Sequence, residues 1–240
     1  VLPLTSSCSR CFPHIVNLAC KAVLAAITNL DLAREPSNEH EHRSFLDAVD
    51  RDPIATLHAF VRSVHSSPLQ RQSFAQLTKQ FFGHEIQPIH DVDTRWSSTF
   101  LMIDRAIFLQ KAIVKMTEGF PELQKYALSV DDWNALITAS EVLEIPHAFQ
   151  QVLSAEKTPS LGKALLAFAA LERQLTTLKK TRHTAASIID AGLCKLAEYQ
   201  ERIKDVPAYL MAMGKIMCGN YMYQGLIPSS AGPRREIALV

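Results

Sequence analysis

The sequence predicts a mainly α-helical chain, a multi-helix array with at most one or two short strands. Three observations carry that expectation. Apolar residues recur at i, i+3, i+4 and i+7 through most of the chain, the spacing of one helix face laid against a core. Pro, Gly and Ser punctuate short connections between these runs. Finally, the one stretch that reads as extended would need a partner sheet that the sequence does not encode. No fixed-period repeat of the solenoid kind is present.

In chain order, residues 1–10 are a polar, Ser-rich entry, and Ile15, Leu18, Ala19, Ala22, Val23 and Ala26 then mark a helix from about Cys11 to Thr28. From Asn29 to Asp52 the apolar pattern lapses, which suits a solvated linker. Pro53 opens a second helix along Ile54, Leu57, Val61 and Val64, and a third follows Ser66-Ser67-Pro68 until Gly83 stops it. Ile86, Pro88, Ile89 and Val92 suggest an extended segment, one buried strand at most. Beyond Trp96 a single long helix is expected to about Glu118, capped by Ser97 or Ser98 and closed by Gly119 and Pro121. Asp131 or Asp132 should cap the next helix, which Pro146 breaks or kinks. Thr158-Pro159-Ser160 opens another, ended by the basic run Lys179–His183, and Ile188 to Ile203 form the last strong one. The four expected units are residues 1–28, 29–52, 53–213 and a poorly ordered tail, 214–240.

Composition narrows the function classes. The chain has 240 residues, 48% of them hydrophobic, and a net charge of +1, so it can bury a sizeable core and carries no basic excess of the kind many DNA-binding domains show. Any nucleic-acid contact must therefore be local. No run approaches the roughly 18 apolar residues of a membrane span, and the first residues carry no signal-peptide pattern, so no membrane partner is expected. Five cysteines are too sparse and odd a set for a disulfide framework. The chain begins with Val, which leads to the expectation of a fragment.

Several clusters carry chemistry. Cys8, Cys11, His14 and Cys20 resemble a zinc set at first sight, but lack the two short-spaced pairs that a tetrahedral site requires. The competing reading makes Cys11 and Cys20 small buried residues. Asp91 and Asp93, two apart on an extended segment, could point the same way and clamp metal ions. Arg95 beside Trp96 is either a cation lying over an indole that staples a helix start, or a cation and π-face that together hold an unpaired base. The Lys179–His183 run is either a helix-terminal loop favoured by the helix dipole or a phosphate-contacting or nuclear-import patch.

Two of these segments carry a family resemblance. Arg10-Cys11-Phe12-Pro13-His14-Ile15-Val16-Asn17-Leu18 is similar to the Cys-x-x-His segment of hAT-superfamily DNA transposases, and Asp91-Val-Asp-Thr-Arg-Trp-Ser-Ser-Thr99 to their Thr-Arg-Trp segment. Both stand in the family's order. Thr158–Leu161, Ile188–Tyr199 and Val206–Met213 also resemble blocks of fungal-type members, so the likeness runs from Arg10 to Met213 and stops at Gly214. It implies an incomplete RNase H-like core fragment followed by a helical insertion domain. The parent activity it implies is cut-and-paste transposition that depends on Mg²⁺, in the nucleus and without a small-molecule substrate. The DNA-contacting positions carried over are His14, Arg95 and Trp96, with Cys11, Asn17, Asp91 and Thr94 supporting the motifs. Trp96 would stack a flipped base. Asp91 matches a non-catalytic Asp, and Asp93 a variable position. Two of the family's catalytic carboxylates would precede Val1, and Glu141, Glu144 and Glu172 sit in no matching context for the third. The chain is therefore expected to hold no cofactor and to be an incomplete nuclease, from a truncated or frame-disrupted gene. DNA ends are the implied partner, with homo-oligomers a further expectation. The alternative from another class is a helical protein-interaction scaffold or a domesticated remnant without nuclease activity.

Overall fold

The computed structural model describes residues 12–28, 52–92, 96–155 and 161–204. Eight α-helices and two short 3₁₀ turns account for most of these residues, and no strand occurs among them. The helices are α1 (Phe12–Ile27), α2 (Pro53–Ser66), α3 (Pro68–Phe82), α4 (Trp96–Phe108), α5 (Gln110–Gly119), α6 (Val130–Ala155), α7 (Leu161–Thr181) and α8 (Ala186–Lys204). The expected mainly α-helical class is what the described residues adopt. The linker expected at 29–52 falls outside the described residues except for Asp52, as do Thr158–Ser160 and everything from Asp205 onward.

Local chemistry explains the boundaries. Asp52 caps α2, its carboxylate accepting from the amides of Ile54 (2.9 Å) and Ala55 (3.1 Å), while Pro53 occupies a first-turn position where its missing N–H costs nothing. The Thr28 hydroxyl also donates to this carboxylate, tying the end of α1 to the start of α2. At the end of α3, Gly83 takes φ +80° as the left-handed C-cap and donates its amide to the Lys79 carbonyl (2.9 Å).

Four sequence expectations need correction. The long helix beyond Trp96 is two helices, interrupted at Leu109. Periodicity could not reveal the break, because Met102, Ala106, Leu109, Ile113 and Met116 are all buried and keep one apolar phase across it. The cap of α6 is Ser129, whose Oγ accepts from the Asp132 amide (3.2 Å) while the Asp132 carboxylate accepts from the Ser129 amide (2.8 Å). This reciprocal pair is a capping box with Asp in the third position. Nor does Ser97 or Ser98 cap α4, since Trp96 is already helical and the Ser98 hydroxyl turns back to the preceding segment. Pro146 does not end α6, which stays helical through it.

One apolar cluster runs from Ile15 on α1 to Tyr199 on α8, so α1 shares a core with the helices that follow. Its main partner is α8, and it also packs on α6 and α4. Gly192 allows that approach: a Cβ there would lie 2.7 Å from Val23 Cγ2. A glycine within a helix costs roughly 1 kcal/mol against alanine, so close packing is the physical reason for it here.

Candidate nucleic-acid interface

The segment expected to be extended, with one buried strand at most, is neither helix nor strand over residues 85–92 and makes no backbone–backbone hydrogen bond among the described residues. Side chains hold it instead. The Ile86 amide donates to Thr78 Oγ1 (3.0 Å), Gln87 Nε2 to the Arg71 carbonyl (3.1 Å), and His65 Nε2 to the Pro88 carbonyl (2.9 Å). The His90 ring lies edge-on to those of His58 and His65, with centroids 6.2 and 5.9 Å away. Sequence reading assigned these histidines no role. They pin the segment to α2.

Asp91 anchors the far end. It is buried, and its carboxylate accepts from the hydroxyls of Thr99 (2.9 Å) and Ser98. The Val92 amide donates to Ser98 Oγ (2.9 Å). A carboxylate set against the first turn of α4 also meets the positive end of the helix dipole. Both oxygens therefore face donors, which does not fit the metal-clamp reading of Asp91. Asp93, Thr94 and Arg95 lie outside the described residues, as does Cys11.

Trp96 is 4% exposed. Its ring meets that of His147 on α6 at 6.0 Å in a T-shape, and Phe100 packs on the same imidazole at 4.7 Å. This arrangement agrees with the alternative of an indole that staples the helix start. The amphipathic register of α4 turns Trp96, Phe100 and Ile103 toward the core, so the indole fixes the start of α4 to α6. His147 went unnoticed in the sequence because a lone His on an apolar helix carries no spacing signal.

On α1, His14 and Asn17 are half-buried beside the buried Ile15 and Val16. Cys20 is a core residue, and burial pushes its thiol well above the ordinary cysteine range, opposite to the shift a thiolate ligand needs. Within the basic run, Lys179 pairs with Asp190 (2.6 Å) and Arg182 with Glu141 (2.5 Å), so two of its cations are engaged inside the fold. Glu141 is accordingly a partner in an ion pair rather than a purely solvated residue. Beside the segment 85–92 a cleft of about 470 Å³ opens between His84–Gln87 and α4, lined by Glu85, Asp104 and Arg105.

A helical array whose sequence carries the Cys-x-x-His and Thr-Arg-Trp segments, with buried Asp91 holding the start of α4, is an hAT-transposase-like segment. More narrowly, the chain belongs to the ZBED1 RNase-like helical domain family, whose model matches residues 9–142. It is 27% identical over 213 residues to a putative transcriptional regulator, tpeD, of Talaromyces stipitatus, covering 86% of this chain and 23% of that protein. To the putative AC9 transposase of Zea mays it is 23% identical, over 79% of this chain and 20% of the relative. The putative AC transposase of the same plant is 26% identical over 60% of this chain and 15% of its own length. The chain thus spans less than a quarter of the curated relatives it matches. No solved structure matches it. No helix among the described residues is long and apolar enough to cross a membrane.

Proposed function

We propose that this chain supplies the DNA-end-holding helical segment of an hAT-type transposase or a protein derived from one, acting in the nucleus, and that it does not cut DNA by itself. The observation that carries the reading is the ordered pair of segments, Arg10–Leu18 and Asp91–Thr99, inside the stretch that the family model covers. The names of the Zea mays relatives as transposases support the same direction.

Contact would fall to His14, at the first turn of α1 where free helix amides favour a phosphate, and to Arg95, the residue directly before the anchored Trp96. Asp91 and Trp96 then act as the fixtures that set where α4 begins. Seated on His147, the indole serves by setting the start of α4 and not by stacking on a base. Mg²⁺ would belong to the cleavage chemistry of the parent enzyme, and Asp91, whose two oxygens face hydroxyl donors, does not fit a metal-ligand role.

Fluorescence anisotropy of a labelled DNA hairpin and a plain duplex, titrated over a salt series, tests the reading. The expected result is an affinity whose logarithm falls with log salt, and an Arg95→Ala variant whose slope is smaller by about 1. Salt-insensitive binding, or none, would overturn it and favour a helical protein-interaction scaffold.

A further inference from the structure

Trp96, Phe100 and Asp104 lie one turn apart on α4 and form a stripe against which the His147 ring sits. The imidazole is oddly placed for a polar ring. Gln151 Nε2 lies 3.4 Å from His147 Nε2, so the amide donates to that nitrogen and the proton rests on Nδ1, which is buried without a hydrogen-bond partner. Adding a second proton turns Nε2 into a donor facing another donor, and sets a charge against two aromatic rings while the buried Nδ1–H still lacks an acceptor. Pro146, immediately before it, has no amide, so helix α6 lacks one backbone hydrogen bond at this turn and can yield there.

We propose that His147 is a positioning residue for the DNA-contacting start of α4: neutral, its ring locks Trp96 against α6, and protonated, it leaves the seat toward Asp104 and releases the indole. This rests on the DNA-end reading above. Burial holds the imidazole below its ordinary value of 6.5, and the Asp104 carboxylate pulls the other way. The other elements packed on α6 bring His14 and Lys21, His58 and Arg62, Arg105, Glu172 and Arg173, and His183 of the 3₁₀ turn His183–Ala185, none of which contributes to that shift; on α6 itself Glu144 is exposed. A histidine whose folded value is depressed binds more protons when unfolded or released. The lock is therefore intact above pH 6.5 and weakens as pH falls below it.

The test follows the Trp96 indole N–H and the His147 ring by NMR through a pH titration. The indole resonance is expected to shift in step with the His147 titration, with a midpoint below 6.5. His147→Phe, which keeps an aromatic ring and cannot titrate, should abolish that shift. An indole resonance that stays put while His147 titrates overturns the inference, and this wild-type measurement stands even if the variant fails to fold. Hairpin binding is then compared at about pH 7.5 and about pH 5.5, on either side of the histidine range. Acid should cost the wild type affinity relative to His147→Phe. An identical acid response in both proteins sinks the role of His147 alone, whereas no binding at either pH sinks the DNA reading and this role with it.

Discussion

Replacing Gly192 by alanine tests the close approach of α8 to α1. Two opposing terms decide the outcome. A methyl group removes the glycine penalty within α8, a gain of about 1 kcal/mol. The same methyl would lie 2.7 Å from Val23 Cγ2, and a β-branched side chain on a helix has one strongly preferred rotamer, so it cannot simply swing away. Overpacking of this kind costs roughly 1–3 kcal/mol. The net expectation is a loss of about 0–2 kcal/mol. That figure is too small to be decisive alone, so the informative experiment is the double-mutant cycle. In a Val23→Ala background the obstacle is gone, and Gly192→Ala should become stabilising by about 1 kcal/mol. The coupling, about 1–3 kcal/mol, is the overpacking term isolated. Urea denaturation of the four proteins, with midpoints compared at constant m, measures it. If Gly192→Ala shifts stability by the same amount in both backgrounds, the α1–α8 contact does not explain the glycine.

Three further outcomes follow from the packing around α4 and α1. Asp91→Ala should lower stability by about 2–4 kcal/mol, since it removes the charged acceptor of two hydroxyls, and Asp91→Asn by less; a change under about 1 kcal/mol in urea denaturation would refute the clamp. Trp96→Ala should cost about 3–5 kcal/mol as a cavity in the core, so any DNA-binding defect of that variant must be read at a temperature where it remains folded. Alkylation followed by mass spectrometry should label the exposed Cys194 quickly and Cys20 only on unfolding, because burial both shields that thiol and raises its pKa; equal labelling of the two in the folded protein would contradict the position of α1.

The elements and their stops were legible because they depend on neighbours in sequence. Asp52-Pro53 and Gly83 act within one turn of their own helix, and amphipathic spacing is written along a single segment. The break at Leu109 was not legible, since the buried residues on either side keep the same phase. The same holds for the cap of α6. Two acidic residues looked like candidates, and only the geometry shows Ser129 leading and Asp132 reaching back.

The sequence by itself determined the helical class, the order of the helices and the two motif segments that carry the family likeness, all of them local patterns. Which residues meet across the fold was decided by the tertiary structure. The fate of Trp96 depends on His147, on another helix, and the need for Gly192 depends on Val23 near the other end of the described chain. The physical reason is that burial is a property of the whole packed array. An indole has the same composition and the same neighbours in sequence whether it lines a pocket or plugs a core, and only the helices that close over it decide between the two.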